Sequence, residues 1–169
     1  KALKAGVDLV VEGGAITIDA SDDAIHSNGA LAINGGEILI ASGDDAMHAD
    51  ASVEINGGDI QITTCYEAIE SAKVTLNDGS IRLTASDDGI NVAGGVDGPP
   101  MGPPGGEAFA QAGDYYLRVN GGYYAIDAGG DGLDINGAVT MAGGTVIING
   151  PTNDGNGALD YAAGFQVTG

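Results

Sequence analysis

Residues 31–52 read LAINGGEILIASGDDAMHADAS, and this stretch contains the pattern from which most of the chain is built. Apolar residues alternate with other residues on both sides of a Gly-Gly turn. An Asp-Asp pair then follows, and one more apolar residue comes three positions after the first aspartate. An alternation with a period of two is typical of strands rather than helices. The stretch therefore predicts three short strands separated by turns.

The same pattern recurs along the chain in units of about 22 residues, which are 9–30, 31–52, 53–73, 74–95, 117–138 and 139–164. Aligning the units produces five columns of apolar residues, one of which contains Ile25, Met47, Ile69, Ile90, Leu133 and Leu159. Leu3 fits the same column, and Phe165 with Val167 begins a seventh unit.

A repeat of this length, with the same residue type at each level, predicts an all-β fold: a single-stranded right-handed parallel β-helix with about 22 residues per coil. Residues 1–169 form one domain in this interpretation. A Pro/Gly-rich loop insertion at about 94–114 separates the fourth unit from the fifth.

The charge balance narrows the classes of partner. The 169 residues include 24 acidic and 5 basic ones, for a net charge of −19. Such a surface repels nucleic acid phosphates and anionic membranes, so neither is expected as a partner. No apolar run approaches the roughly 20 residues of a membrane-spanning helix, so no membrane insertion is expected. Metal cations and neutral polymers remain, and we expect a monomer.

Acidic residues recur at one position of the second turn, and we call this set the acidic column: Asp23, Asp45, Glu67, Asp88 and Asp131. Equal positions of successive coils lie about 4.8 Å apart. Two carboxylates at that distance repel by roughly 3.5 kcal/mol at an effective dielectric of 20. Ca²⁺ takes six to eight oxygen ligands and relieves this repulsion. We therefore expect more than one Ca²⁺, with candidate ligands Asp22, Asp23, Asp44, Asp45, Glu67, Glu70, Asp87, Asp88, Asn91, Asp131 and Asp134.

Two other interpretations of these residues stay open. A turn aspartate commonly bonds to nearby backbone, without any metal. Zinc is disfavoured because the chain offers only His26, His48 and one thiol, Cys65, as nitrogen or sulfur donors. Both histidines align with Glu70, and we expect them to be outward-facing members of that column rather than metal ligands.

Several segments resemble a known family. The strings TTCYEAIES, LTASDDGINVAGG and AGGDGLDINGAVTMAGGTVIINGPTNDGNGALDY, with the final FQVTG, resemble the carbohydrate-binding β-helix domain of secreted clostridial and related proteins. The resemblance covers essentially the whole chain. It implies a fold similar to the family nine pectate lyases, bound calcium, and binding of plant polysaccharides: cellulose and acidic sugars such as polygalacturonate. It also implies an extracellular or cell-surface location.

The resemblance raises two questions: which residues contact the sugar, and whether the protein is a catalyst. Candidate sugar-binding residues are Tyr66, Tyr115, Tyr116 and Tyr123, whereas Tyr124 occupies a core column. A pectate lyase needs a base beside its calcium. Arg82 and Arg118 fall on the other two strands of the coil, which leaves Lys73 as the candidate, and Lys73 is better explained as a turn residue. A non-catalytic binding module is therefore preferred to a lyase or a rigid spacer.

Overall fold

The computed structural model describes residues 1–93 and 114–169, and it contains only strands and turns. The predicted insertion at about 94–114 lies outside the described residues, apart from Asp114. Within the described ranges, no helix is long and apolar enough to span a membrane.

Three parallel sheets form the sides of a β-solenoid of about seven turns. Sheet A contains β1 (Leu3–Ala5), β4 (Ile25–Ser27), β7 (Met47–Ala49), β10 (Ile69–Ser71), β13 (Ile90–Val92), β16 (Leu133–Ile135) and β19 (Leu159–Tyr161). Sheet B contains β2 (Leu9–Val11), β5 (Ala30–Ile33), β8 (Ser52–Ile55), β11 (Lys73–Leu76), β14 (Tyr116–Val119), β17 (Ala138–Met141) and β20 (Phe165–Val167). Sheet C contains β3 (Ala15–Ala20), β6 (Glu37–Ser42), β9 (Asp59–Thr64), β12 (Ser80–Ala85), β15 (Tyr123–Ala128) and β18 (Thr145–Asn149).

Strand register confirms the alignment predicted from the repeat. In sheet A, Ile25 pairs with Leu3 on one side and with Met47 on the other, and the pairing continues unbroken to Leu159. In sheet B, Phe165 pairs with Val139, so the last strand begins the predicted seventh coil. The spacing of about 22 residues between equivalent apolar positions is therefore sufficient to specify which residues stack.

The columns of apolar side chains meet inside the solenoid as one buried core. Most of its members are Ile, Leu and Val, which fit the pleated surface of a strand. Tyr124 is an aromatic member of this core, and it is 1% exposed, as expected for a core column. Its hydroxyl donates to the backbone oxygen of Asp78 at 3.3 Å, and burial raises its pKa to about 12.

The Asn-Gly-Gly turns between sheets B and C are stabilised by a ladder of side-chain amides. Asn56 Nδ2 donates to Asn34 Oδ1 at 2.9 Å, and Asn77 Nδ2 donates to Asn56 Oδ1 at 2.7 Å. Gly36 in the same turn has φ +110°, and a Cβ there would lie 2.8 Å from the oxygen of Gly14. Glycine is therefore required by both conformation and space.

Candidate functional site

The acidic column lies at the corner where each sheet C strand turns into a sheet A strand, and we call this corner the acidic edge. The residue after each acid donates its backbone N–H to the backbone carbonyl oxygen of the acid in the next coil. Examples are Ala24 to Asp45 at 2.9 Å and Ala46 to Glu67 at 3.0 Å. The same pattern continues through Asp88 and Asp131. The predicted alignment of the five acidic positions is therefore confirmed.

The central residues of the sheet A strands form a second polar column. Its members pair in register in the order Lys4, His26, His48, Glu70, Asn91, Asp134 and Asp160. Asp160 is a member that the sequence interpretation missed. The sequence did contain a signal for Asp160. Leu159 belongs to an apolar column, and this places the following residue, Asp160, beside Asp134.

At the C-terminal end of the acidic edge, Asp131, Asp134 and Asp160 form a cluster that contains only oxygen donors. Each offers a carboxylate oxygen, and the three oxygens lie within 4.8 Å of one another. All three residues are partly or fully exposed to solvent. Asp22, Asp23 and Asp44 form a similar group near the other end of the edge.

Backbone N–H groups of the next coil bind two of the acids. Asp88 Oδ1 accepts from the N–H of Asp131 at 2.6 Å, and Asp131 Oδ1 accepts from the N–H of Gly157. Turn aspartates therefore do bond to backbone, as the metal-free interpretation requires, but across coils. A carboxylate has about four acceptor positions, so one such bond leaves others for a cation.

The structure corrects the expectation for the two histidines. His26 and His48 do not face outward. They are buried, at 0% and 1% exposure. Their ring centroids lie 4.8 Å apart, and His26 Nδ1 lies 2.8 Å from Asp23 Oδ2. Asp23 is 1% exposed and also pairs with the ammonium group of Lys1. The N-terminal part of the acidic edge is therefore a buried cluster of nitrogen and oxygen donors.

Three carboxyl groups along the edge, those of Glu67, Glu70 and Asp88, have raised pKa values and are harder to ionise than usual. Burial, together with the neighbouring acids, raises the pKa of Glu67 to about 7, although the amide of Asn91 donates to its Oε2 at 3.0 Å. Burial is also the main cause that raises the pKa of Asp88 to about 6. The pKa of Glu70 is raised as well, by burial and by a hydrogen bond with Asp45, while His48 opposes the shift.

These shifts predict an unusual pH dependence for the metal-free protein. The folded form holds protons on Glu67 up to about pH 7, whereas the unfolded chain releases them near pH 4.5. Stability should therefore fall as the pH rises from about 4.5 through about 7. Melting temperatures in EDTA at pH 5 and pH 8 check this. A higher melting temperature at pH 8 would contradict it.

The four tyrosines proposed as sugar contacts lie in three separate places. Tyr66 is 47% exposed on the acidic edge, where a hydrogen bond with Asp87 raises its pKa to about 12. Tyr115 packs partly against the core, and Tyr116 lies in sheet B with the guanidinium of Arg118 4.0 Å from its ring centre. Tyr123 is 37% exposed at the start of a sheet C strand. The structure does not bring them together as one platform.

Sheet C carries a shallow groove of about 300 Å³ on its surface. Polar side chains of four adjacent strands line it: Gln61, Thr63, Arg82, Thr84, Asp127 and Asn149. The guanidinium of Arg82 also lies 5.5 Å from the centre of the Tyr123 ring. The groove therefore combines hydrogen-bonding groups with an adjacent aromatic ring.

Three of the basic residues occupy the positions expected of them. Arg82 belongs to sheet C and Arg118 to sheet B, so both lie away from the sheet A side of the acidic edge. Lys73 is the first residue of a sheet B strand and pairs with Tyr116. Its strand is therefore separated from Glu70 by the corner between sheets A and B.

Comparison with known proteins finds a similarity in the N-terminal part of the chain. A family model described as "carbohydrate-binding domain-containing protein" matches residues 1–46. The N-terminal part of the chain is similar to carbohydrate-binding domains. The matched region ends just after Asp44 and Asp45, so it includes the first two coils of the acidic edge. No curated protein and no solved structure matches the chain.

Proposed function

We propose that this protein is a non-catalytic module that binds plant cell-wall polysaccharide outside the cell, and that calcium on the acidic edge mediates its binding of acidic sugars. The observation that carries the proposal is the oxygen-only cluster of Asp131, Asp134 and Asp160, whose donor oxygens lie within 4.8 Å of one another at an exposed position. The family match over residues 1–46 supports carbohydrate as the class of ligand.

Calcium suits this cluster because of its ligand preference and its size. Ca²⁺ binds oxygens at 2.3–2.6 Å, so two ligands on opposite sides of one ion are about 4.6–5.2 Å apart. The spacing of successive coils, about 4.8 Å, falls within that range. Asp134 and Asp160 pair in register on successive coils, so their carboxylates are suitably spaced to be ligands of one ion.

An acidic polymer then becomes a suitable ligand for an acidic protein. Protein carboxylates occupy one side of the ion, and the exposed side keeps positions for water or for another carboxylate. A uronate carboxylate of polygalacturonate fills these positions. Tyr66, exposed on the same edge, offers a ring for the face of a sugar. Binding of uronans should therefore require calcium.

Neutral glycans such as cellulose are assigned to a different surface. The groove on sheet C offers amide and hydroxyl groups from Gln61, Thr84 and Asn149, with Tyr123 next to Arg82. Sugar hydroxyls pair with such groups, and a tyrosine ring can stack on the sugar face. The carboxylates of the C-terminal cluster do not line this groove, so binding there should not require calcium.

Retention on polysaccharide gels tests both parts. We expect the protein to be retained on a pectate gel in calcium and released by EDTA, because chelation removes the bridging ion. Retention on cellulose should survive EDTA. A Tyr123→Ala variant should weaken retention on cellulose alone. Failure to be retained on either polymer would contradict binding and favour a spacer. Unsaturated product absorbing in the ultraviolet from polygalacturonate would instead establish a lyase.

A further inference from the structure

We propose that the buried N-terminal part of the acidic edge binds a divalent first-row transition-metal ion, with His48, Asp45 and Glu70 as ligands. The three residues come from two successive coils: Asp45 and His48 lie in one, and Glu70 pairs with His48 from the next. This site differs in chemistry from the oxygen-only cluster of Asp131, Asp134 and Asp160, which is assigned to calcium. It does not depend on whether the protein binds polysaccharide.

The distances around His48 indicate a shared ion. Its Nδ1 lies 3.3 Å from Glu70 Oε2, 3.5 Å from Asp45 Oδ2 and 3.9 Å from Asp23 Oδ2. Ligands of a tetrahedral ion with bonds of 2.0–2.2 Å are separated by about 3.3–3.6 Å. The two shorter distances therefore match the spacing of ligands around one ion.

Neighbouring residues can orient these ligands. His48 Nε2 lies 3.6 Å from Asp50 Oδ1, so a carboxylate faces the ring nitrogen opposite the proposed metal. Metal-binding histidines commonly have a carboxylate in this position. Asp23, whose Oδ2 is 3.9 Å from His48 Nδ1, lies 2.8 Å from His26 Nδ1 and also pairs with Lys1. We therefore assign His26 to positioning through Asp23, and the fourth coordination position is left for Asp23 or water.

Burial and donor type distinguish this site from the calcium clusters. His48 is 1% exposed, and the side chains of Asp45 and Glu70 are 8% and 17% exposed. Imidazole nitrogen suits Zn²⁺, Co²⁺ and related ions, whereas Ca²⁺ prefers oxygen. The second polar column carries its histidines in the N-terminal coils and only oxygen donors from Glu70 onward. The ion would therefore link coils within the structure rather than contact a polymer.

Titration of the EDTA-treated and dialysed full chain with Co²⁺ or Zn²⁺, first alone and then in excess Ca²⁺, tests the site. We expect one ion per chain to bind in the presence of excess Ca²⁺, and Co²⁺ to give the intense visible absorption of a tetrahedral site. His48→Gln should lower the affinity at least tenfold. The matched control is Asp134→Asn/Asp160→Asn, which alters an oxygen-only cluster and should leave Co²⁺ binding unchanged. Equal affinity in His48→Gln, or displacement of Co²⁺ by Ca²⁺, would overturn the proposal.

A measurement on the unaltered protein guards against failure of His48→Gln to fold. In ¹⁵N-histidine spectra, one equivalent of Zn²⁺ should shift Nδ1 of one histidine strongly, as direct coordination requires. If the Nδ1 resonance shifts in neither histidine, the proposal is wrong. Loss of calcium-dependent pectate retention would not affect this result, so failure of the two proposals can be told apart.

Discussion

The double variant Asp134→Asn/Asp160→Asn is expected to bind Ca²⁺ at least roughly tenfold more weakly at the C-terminal cluster, because calcium affinity depends on the number of charged ligands. The same variant should be more stable than the wild type once calcium is removed. Asp134 and Asp160 pair in register, and neutralising both removes repulsion between adjacent coils. Its melting temperature should therefore rise in EDTA and fall relative to wild type in saturating calcium.

A matched control separates this effect from a general loss of charge. Glu37 and Asp59 also pair in register one coil apart, but they are exposed on sheet C, away from the acidic edge. Glu37→Gln/Asp59→Asn changes the net charge by the same amount and should leave calcium affinity unchanged. Calorimetric titration with calcium and thermal melts measure both quantities. Equal calcium affinity in the two double variants would argue against a metal site at Asp134 and Asp160.

Tyr124→Ala is expected to cost about 3–5 kcal/mol in the free energy of unfolding, which is the range for removing a large aromatic side chain from a core. Tyr124 is 1% exposed and fills a column otherwise occupied by Ile and Val. Its replacement leaves a cavity between two coils that the neighbouring strands cannot close without losing register. Chemical denaturation in saturating calcium measures the change.

Two further substitutions, one at the same position and one at the adjacent residue, serve as references for that result. Tyr124→Phe removes only the hydroxyl bond to Asp78 and should cost about 0.5–1.5 kcal/mol. Tyr123→Ala removes a 37% exposed ring and should change the stability by within about 0.5 kcal/mol. A similar loss for Tyr123→Ala and Tyr124→Ala would contradict the assignment of Tyr124 to the core.

The fold was predictable because a solenoid repeats one local pattern. Period-two alternation identifies which side chains enter the core, and the 22-residue spacing identifies which of them stack, as at Ile25 and Met47. The side-chain amides of Asn34, Asn56 and Asn77, which hydrogen-bond to one another, also lie 22 and 21 residues apart in sequence. A partner 22 residues away in sequence is therefore as predictable here as a neighbour in a helix.

Solvent access at the acidic edge was not predictable in the same way. The alternation distinguishes only the two sides of a strand, and on that basis it predicts that His26 and His48 face outward. In the structure each ring packs against its register neighbour, and the adjacent acids Asp23 and Glu70 lie within 4 Å of them. Burial of these side chains depends on packing between coils, which no single coil encodes. The raised pKa values of Glu67 and Glu70 have the same origin.

A crystal structure grown in the presence of calcium tests the central claim most directly, since calcium can be located by its anomalous scattering. We predict an ion within 2.3–2.6 Å of carboxylate oxygens from successive coils, with Asp131, Asp134 and Asp160 supplying one such site. If these carboxylates contact only water and backbone at saturating calcium, the acidic edge is not a calcium site.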